Sequence, residues 1–266
     1  MSAETGCFYV PLGEERFRAT ELTGTPWGTG SQHGGPPAAL LGRALESDEG
    51  GEGGIFARLA FEILGPIPVG ELSVEAKIVR PGRRISLREA TLSDGAGRPV
   101  MLCRAWRISA SPASLPDDLE PERRTLPGLE RGEEKPFFEM APEIGYHQGI
   151  DARFVKGSWR EPGNAAAWLR MRVPLLPHEE PSPLVRVLVV ADSGNGVGGA
   201  LDTSAWTFIN PETTVHLHAY PRGEWVGLDA SATVAPSGVG LVRTTIHDPT
   251  AGPIGSAAQS LLVAKR

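Results

Sequence analysis

The sequence has little cysteine, few aromatic residues, no basic excess and no long apolar run. Its two cysteines, Cys7 and Cys103, are too few for a disulfide framework and lack the paired C-x-x-C spacing of zinc sites, which points to a reducing, cytoplasmic setting. No stretch approaches the ~20 apolar residues of a membrane span, and the opening MSAETGCFYVPLGEERF reaches acidic residues before any run of signal-peptide length. A soluble, unexported protein is the expectation. The net charge of −6, from 26 Lys and Arg against 32 Asp and Glu with both signs interspersed, makes nucleic acid a poor partner. No G-x-S-x-G elbow occurs, which argues against a serine hydrolase of the α/β type. Gly196-Val-Gly-Gly199 lacks the Lys and Ser/Thr of a phosphate loop. Nothing calls for a redox or other cofactor.

Gly (33) and Pro (24) are abundant, which indicates many turns. The segment 114–148 is crowded with Pro, Glu and Arg and carries no sustained periodicity, so it reads as a linker. The expected division is an N-terminal unit at 1–115, a linker at 116–150 and a C-terminal unit at 151–266.

The two units resemble each other. Pro68-Val-Gly-Glu71 through Leu87 to Pro99-Val100 is echoed by Pro221-Arg-Gly-Glu224 through Leu241 to Pro253-Ile254. The offset is 224 − 71 = 153 at the first matched Glu and 241 − 87 = 154 after one insertion. LSVEAKIVRP, ISLREATLSD and PVMLCRAWRI alternate apolar and polar residues as half-buried antiparallel strands do, with a DGAGRP hairpin turn. EWVGLDASATV, GLVRTTIHD and IGSAAQSLLVA repeat the pattern. Each unit also has one candidate helix ahead of its strands. Gly34–Glu46 opens with prolines and continues in Ala and Leu; Pro181–Gly194 has the same proline start and a Gly stop, although its Val-rich middle also suits a buried strand.

A helix followed by an antiparallel meander, present twice, predicts an α+β fold in which each helix is wrapped by a curled sheet. The ordered set QHGGPPAALLGRAL, RLAFEILGPIPVGELSVEAKIVRPGRRISLREATL, FINPETTVHLHAYPRGEWVGLDA, GVGL and GSAAQSLLV resembles the double-hotdog acyl-CoA thioesterases of the thioesterase II (TesB-like) family. The resemblance implies hydrolysis of a fatty acyl-CoA to free acid and CoA by direct attack of water. It also implies that any further assembly is a homodimer of such fused pairs.

Thioester hydrolysis needs a positioned water, an acceptor to polarise it and donors for the oxyanion. In a helix over 183–193, Asp192 falls three, four and seven residues after Val189, Leu188 and Val185, which puts a carboxylate on an apolar stripe. It could instead simply end the helix in a turn. Gln259 shares a strand face with Ala257, Leu261 and Val263, so an amide interrupts an apolar face; the repeat maps it onto Ala105, which has no chemical group. The family places a Thr, an Asp and a Gln around the nucleophilic water. By resemblance Asp192 and Gln259 supply two of them, and Asn210 falls where the hydroxyl residue is expected, with Thr213 or Thr214 taking that place if the register shifts. Backbone amides at the Gly34-Gly35 helix start are the candidate oxyanion donors, and His33 is a candidate to polarise the thioester or meet the phosphopantetheine arm. Trp206 and Phe208 could line an acyl tunnel, and Arg80, Arg83 and Arg84 could meet the phosphates of CoA. His216 and His218 lack a third partner of metal-site spacing, so no metal is expected. The competing readings are a non-catalytic acyl-CoA or lipid binder and a hotdog hydratase or dehydratase, the latter needing a His or Asp-His acid-base pair.

Overall fold

The structure is a computed structural model that describes residues 6–13, 15–47, 54–109 and 126–266. Alternating segments emerge as strands. They are β1 (Tyr9–Gly13), β2 (Arg16–Ala19), β3 (Ile55–Ile63), β4 (Glu71–Arg80), β5 (Ile85–Asp94), β6 (Pro99–Ile108), β7 (Ile150–Lys156) and β8 (Ala165–Met171). After them come β9 (Trp206–Ile209), β10 (Glu212–Leu217), β11 (Val226–Val234), β12 (Val239–Asp248) and β13 (Gly252–Lys265). All pair antiparallel in one sheet ordered β1-β2-β4-β5-β6-β3-β10-β13-β12-β11-β8-β7, with β9 alongside β13. The second six strands run in the reverse of the first, and the halves meet at β3 and β10.

The registers show that both halves carry one pattern. The pair Arg88–Ala105 recurs as Val242–Gln259, and Ser73–Ser93 recurs as Gly227–His247. The bulge between Leu92 and Ser93 recurs between Ile246 and His247, where 246 − 92 = 154. Because 227 − 73 is also 154, the offset of 153 expected at Glu71 and Glu224 is corrected: the offset of 154 relates β3–β6 to β10–β13 and breaks by one residue only past the bulge between Ile78 and Arg80, which β11 lacks. The turns recur too, since Asp94 accepts from the amides of Ala96 and Arg98, and Asp248 from those of Thr250 and Ala251. Ala60 pairs with Thr214, its own repeat equivalent, so a local two-fold axis passes between them.

The concave face of the sheet holds α1 (Gly35–Ser47) and α3 (Pro183–Ala191); α2 (Tyr146–Gly149) and α4 (Gly194–Val197) are single turns. Ser182 caps α3 by accepting from the Val185 amide at 3.1 Å, and its hydroxyl donates to Glu46 at the far end of α1. Arg43 grips Glu179 through two bonds of 2.7 and 2.9 Å. The helices therefore lie antiparallel, and a side chain at Gly42 would overlap Leu188 at their crossing. The helix expected to stop at Gly194 ends at Ala191. Asp192 keeps helical dihedrals and Gly194 is not left-handed, so the chain turns straight into α4 instead of leaving through a glycine cap.

Leu40, Leu41, Leu45, Leu59, Leu184 and Leu188 are fully buried between helices and sheet, each worth roughly 1.5–3 kcal/mol of transfer free energy. Cys7 and Cys103 are buried thiols, and burial pushes both above the ordinary thiol range. Residues 126–150 lie against the second half: Glu133 and Phe154 exchange backbone bonds, the Trp168 indole donates to the Pro127 carbonyl, and Phe138 and Tyr146 are buried. Residues 116–125 of the segment read as a linker lie outside the described residues. The helix crossing yields a direct test. Gly42→Leu should lower unfolding free energy by about 1–3 kcal/mol through overpacking. An unchanged urea midpoint would contradict the contact.

Candidate active site

Asp192 sits where α3 ends, on the stripe formed by the buried Val185, Leu188 and Val189. Its side chain is only 10% exposed, so the carboxylate needs partners. Three donors converge on Oδ1: Asn210 Nδ2 at 2.8 Å, Thr213 Oγ1 at 2.8 Å and Gln259 Nε2 at 3.0 Å. Gln259 is held from its other end, its Oε1 accepting from the Asn195 amide at 3.1 Å, which fixes the amide with its nitrogen towards Asp192. With Oδ1 saturated, Oδ2 is the oxygen these three donors leave. It faces Gly34, where a Cβ would come within 2.6 Å of it, and lies 3.7 Å from His33 Nδ1.

His33 Nδ1 accepts from the Gly35 amide at 3.1 Å, so the neutral ring carries its proton on Nε2. Burial lowers its pKa below the ordinary 6.5, against the opposing pull of the Asp192 charge. The ring stacks parallel on Tyr146 with centroids 3.8 Å apart. The Tyr146 hydroxyl donates to the Val189 carbonyl at 2.9 Å and lies 2.8 Å from Ser193 Oγ. Tyr146 thus ties the histidine from the first half to the end of α3 from the second.

The structure brings together Asp192, Gln259, Asn210, His33, Gly34 and Gly35, and it adds Thr213, Tyr146 and Asn195. Alternation separates the two threonines: Thr213 faces the helices, whereas Thr214 lies on the opposite face of the sheet and bonds Glu212. The helix-start amides of residues 35–38 are not available to an oxyanion. Pro36 and Pro37 have no N–H, the Gly35 amide is taken by His33, and Ala38 bonds Gly34. Gly34 and Gly35 serve close approach instead, since a side chain at Gly35 would overlap the Val189 carbonyl. Trp206 lies away from Asp192 beneath Lys265, and Phe208 lines a neighbouring cavity with Trp27 and Trp159. Arg80 is held by the Ile85 carbonyl and stacks over Trp106. Among the described residues no cluster of three or more His, Cys, Asp or Glu could hold a metal. Asn195 had no sequence signal, yet its buried Oδ1 has no partner among the described residues and its side chain lines the cavity at Asp192.

Comparisons with known proteins identify the family. Residues 23–108 match the model of an acyl-CoA thioesterase N-terminal domain, and residues 116–263 that of an acyl-CoA thioesterase C-terminal domain. The chain belongs to the acyl-CoA thioesterase family. It is a thioester hydrolase, as its TesB-like resemblance implied. Among solved structures it is similar to a provisionally assigned thioesterase II from Thermobifida fusca, with 15% identity, a TM-score of 0.73, and coverage of 99% of this chain and 97% of that one. A conserved protein with a hot dog fold from Alicyclobacillus acidocaldarius matches at 16% identity and a TM-score of 0.68, covering 99% and 98%. The acyl-CoA thioesterase II TesB2 of Mycobacterium marinum matches at 14% identity and a TM-score of 0.62, covering 97% and 96%. At these identities the likeness carries the hotdog fold alone. No curated protein matches the chain. No helix among the described residues is long and apolar enough to cross a membrane.

Within this thioesterase the repeat equivalents of Gln259 and Thr213 are Ala105 and Leu59, paired with each other and fully buried. The first half therefore carries apolar packing where the second carries polar groups. The buried neutral His33 sets a pH dependence. Its contribution to stability is complete above the ordinary pKa of 6.5 and is lost as pH falls below it, because the unfolded ring takes up a proton that the folded one resists. Unfolding free energy should fall between pH 7 and pH 5, and His33→Asn should flatten that slope; an equal slope in the variant would remove His33 as its source.

Proposed function

We propose that this protein hydrolyses acyl-CoA thioesters by direct attack of a water held at Asp192 Oδ2, and that its fold is a double hotdog with one working site. The observation that carries the reading is the asymmetry of the carboxylate: three donors fix Oδ1 and none of them reaches Oδ2, while Asp192 lines a cavity with His33 and Asn210. In the reaction Asp192 takes a proton from water as the oxygen bonds to the thioester carbonyl carbon. The His33 Nε2–H donates to the developing oxyanion. Collapse breaks the carbon–sulfur bond, and the proton on Asp192 passes to the leaving thiolate. No covalent enzyme intermediate is required.

The approach of His33 to Asp192 also fits the acid-base pair of a hydratase. Two observations favour hydrolysis: the family match, and the engagement of Nδ1 by the Gly35 amide, which prevents that nitrogen from relaying a proton to Asp192. A homodimer is supported by exposed apolar clusters at equivalent repeat positions, Ile85 with Ile108 and Val239 with Leu262.

Asp192→Asn, which keeps the shape but removes the base, should reduce kcat by roughly 10²–10⁴-fold in a thiol-release assay. Near-normal turnover by the folded variant would sink the assignment. Loss of an enoyl-CoA without thiol release would favour the hydratase.

A further inference from the structure

The cavity at Asp192 has an unusual wall. Trp27 meets Phe138 at 5.5 Å between ring centroids, Phe138 meets Trp159 at 5.8 Å, and Trp159 is packed from behind by Phe137 and Phe154, both at 5.0 Å. Phe138 and Trp159 are each 6% exposed, so they are packed in place. On the opposite side Gly196 stands so close that a Cβ there would lie 3.3 Å from the Trp159 ring. The free space beside Asp192 is about 20 Å³, and the adjoining space beyond Trp27 and Trp159, towards Arg160, Thr203 and Phe208, is about 10 Å³. Each is room for about one water, not for a chain of methylenes.

The usual alternative, a tunnel into the layer between helices and sheet, is filled. Leu184, Val187, Val189 and Val190 of α3 and Leu40, Leu41 and Leu45 of α1 are all 0–1% exposed, and they interlock with Leu59, Ala90 and Ala105 on the sheet. Opening a path there would break contacts of a close-packed core, so the acyl group is left the space beside Asp192, which the aromatic wall bounds from outside the sheet.

We propose that Trp27, Phe138 and Trp159 form an acyl-size filter that restricts this thioesterase to short acyl groups, of acetyl to butyryl size, in place of the fatty chain expected from the family resemblance. This rests on Asp192 being the hydrolytic centre. Phe138 is the determining residue, because it is the ring that touches both tryptophans and borders the space next to Asp192.

The test is a thiol-release assay of the full chain with acetyl-, butyryl-, octanoyl- and palmitoyl-CoA. The wild type should show kcat/KM for palmitoyl-CoA about 100-fold or more below that for butyryl-CoA. Phe138→Ala should raise the octanoyl-to-butyryl ratio about 10-fold, and Trp27→Ala, at a half-buried loop position, should move it in the same direction should the first variant fail to fold. Equal cleavage of butyryl- and palmitoyl-CoA by the wild type would overturn the filter, as would an unchanged ratio in a folded variant. Absence of hydrolysis with every ester would overturn the hydrolytic reading itself, and the filter with it.

Discussion

The structure depends on the close antiparallel approach of its two long helices. Glycine permits it at both points of contact: Gly42 leaves room for Leu188, and Gly34 and Gly35 let the start of α1 abut the end of α3. That second contact also carries the candidate site. It puts Gly34 against the carboxylate of Asp192 and His33 within 3.7 Å of it, so the packing that closes the core also assembles the site from two halves of the chain. The bond from Ser182 to Glu46 and the Arg43–Glu179 fork hold the opposite ends of the helices, which limits sliding of one past the other.

The polar groups follow from this arrangement. A nearly buried carboxylate at a helix end demands donors, and the concave face of the second half supplies them through Thr213 and Gln259 on neighbouring strands and Asn210 just before β10. The first half presents Leu59 and Ala105 at the same register and needs no such compensation. Divergence of the two copies is thus a difference in what one face of the sheet must satisfy, on a backbone register that the two share at these positions.

Much of this was legible in the sequence. Period-two alternation marked β4, β5, β6, β11, β12 and β13 to within a residue or two, proline starts marked both helices, and Asp192 and Gln259 stood out because each breaks an apolar pattern. The donors at the helix start were legible only in part: the same prolines that announce α1 remove two of the amides there. Thr213 and Thr214 could not be ranked from an anchored motif, because a shift of one residue exchanges the two faces of a strand. Tyr146 and Asn195 carried no signal. Tyr146 lies in a Pro- and Glu-rich segment without periodicity, and its burial depends on both His33 and α3.

The sequence by itself determined the repeat, the antiparallel strands, the two helices and the residues that interrupt apolar faces, because these are local properties of spacing and composition. Tertiary structure alone decided which oxygen of Asp192 is occupied, which threonine reaches it, and how His33, Tyr146 and Asn195 enclose the cavity. Those are contacts between residues far apart in the chain, and they exist only once the helices have met across the sheet.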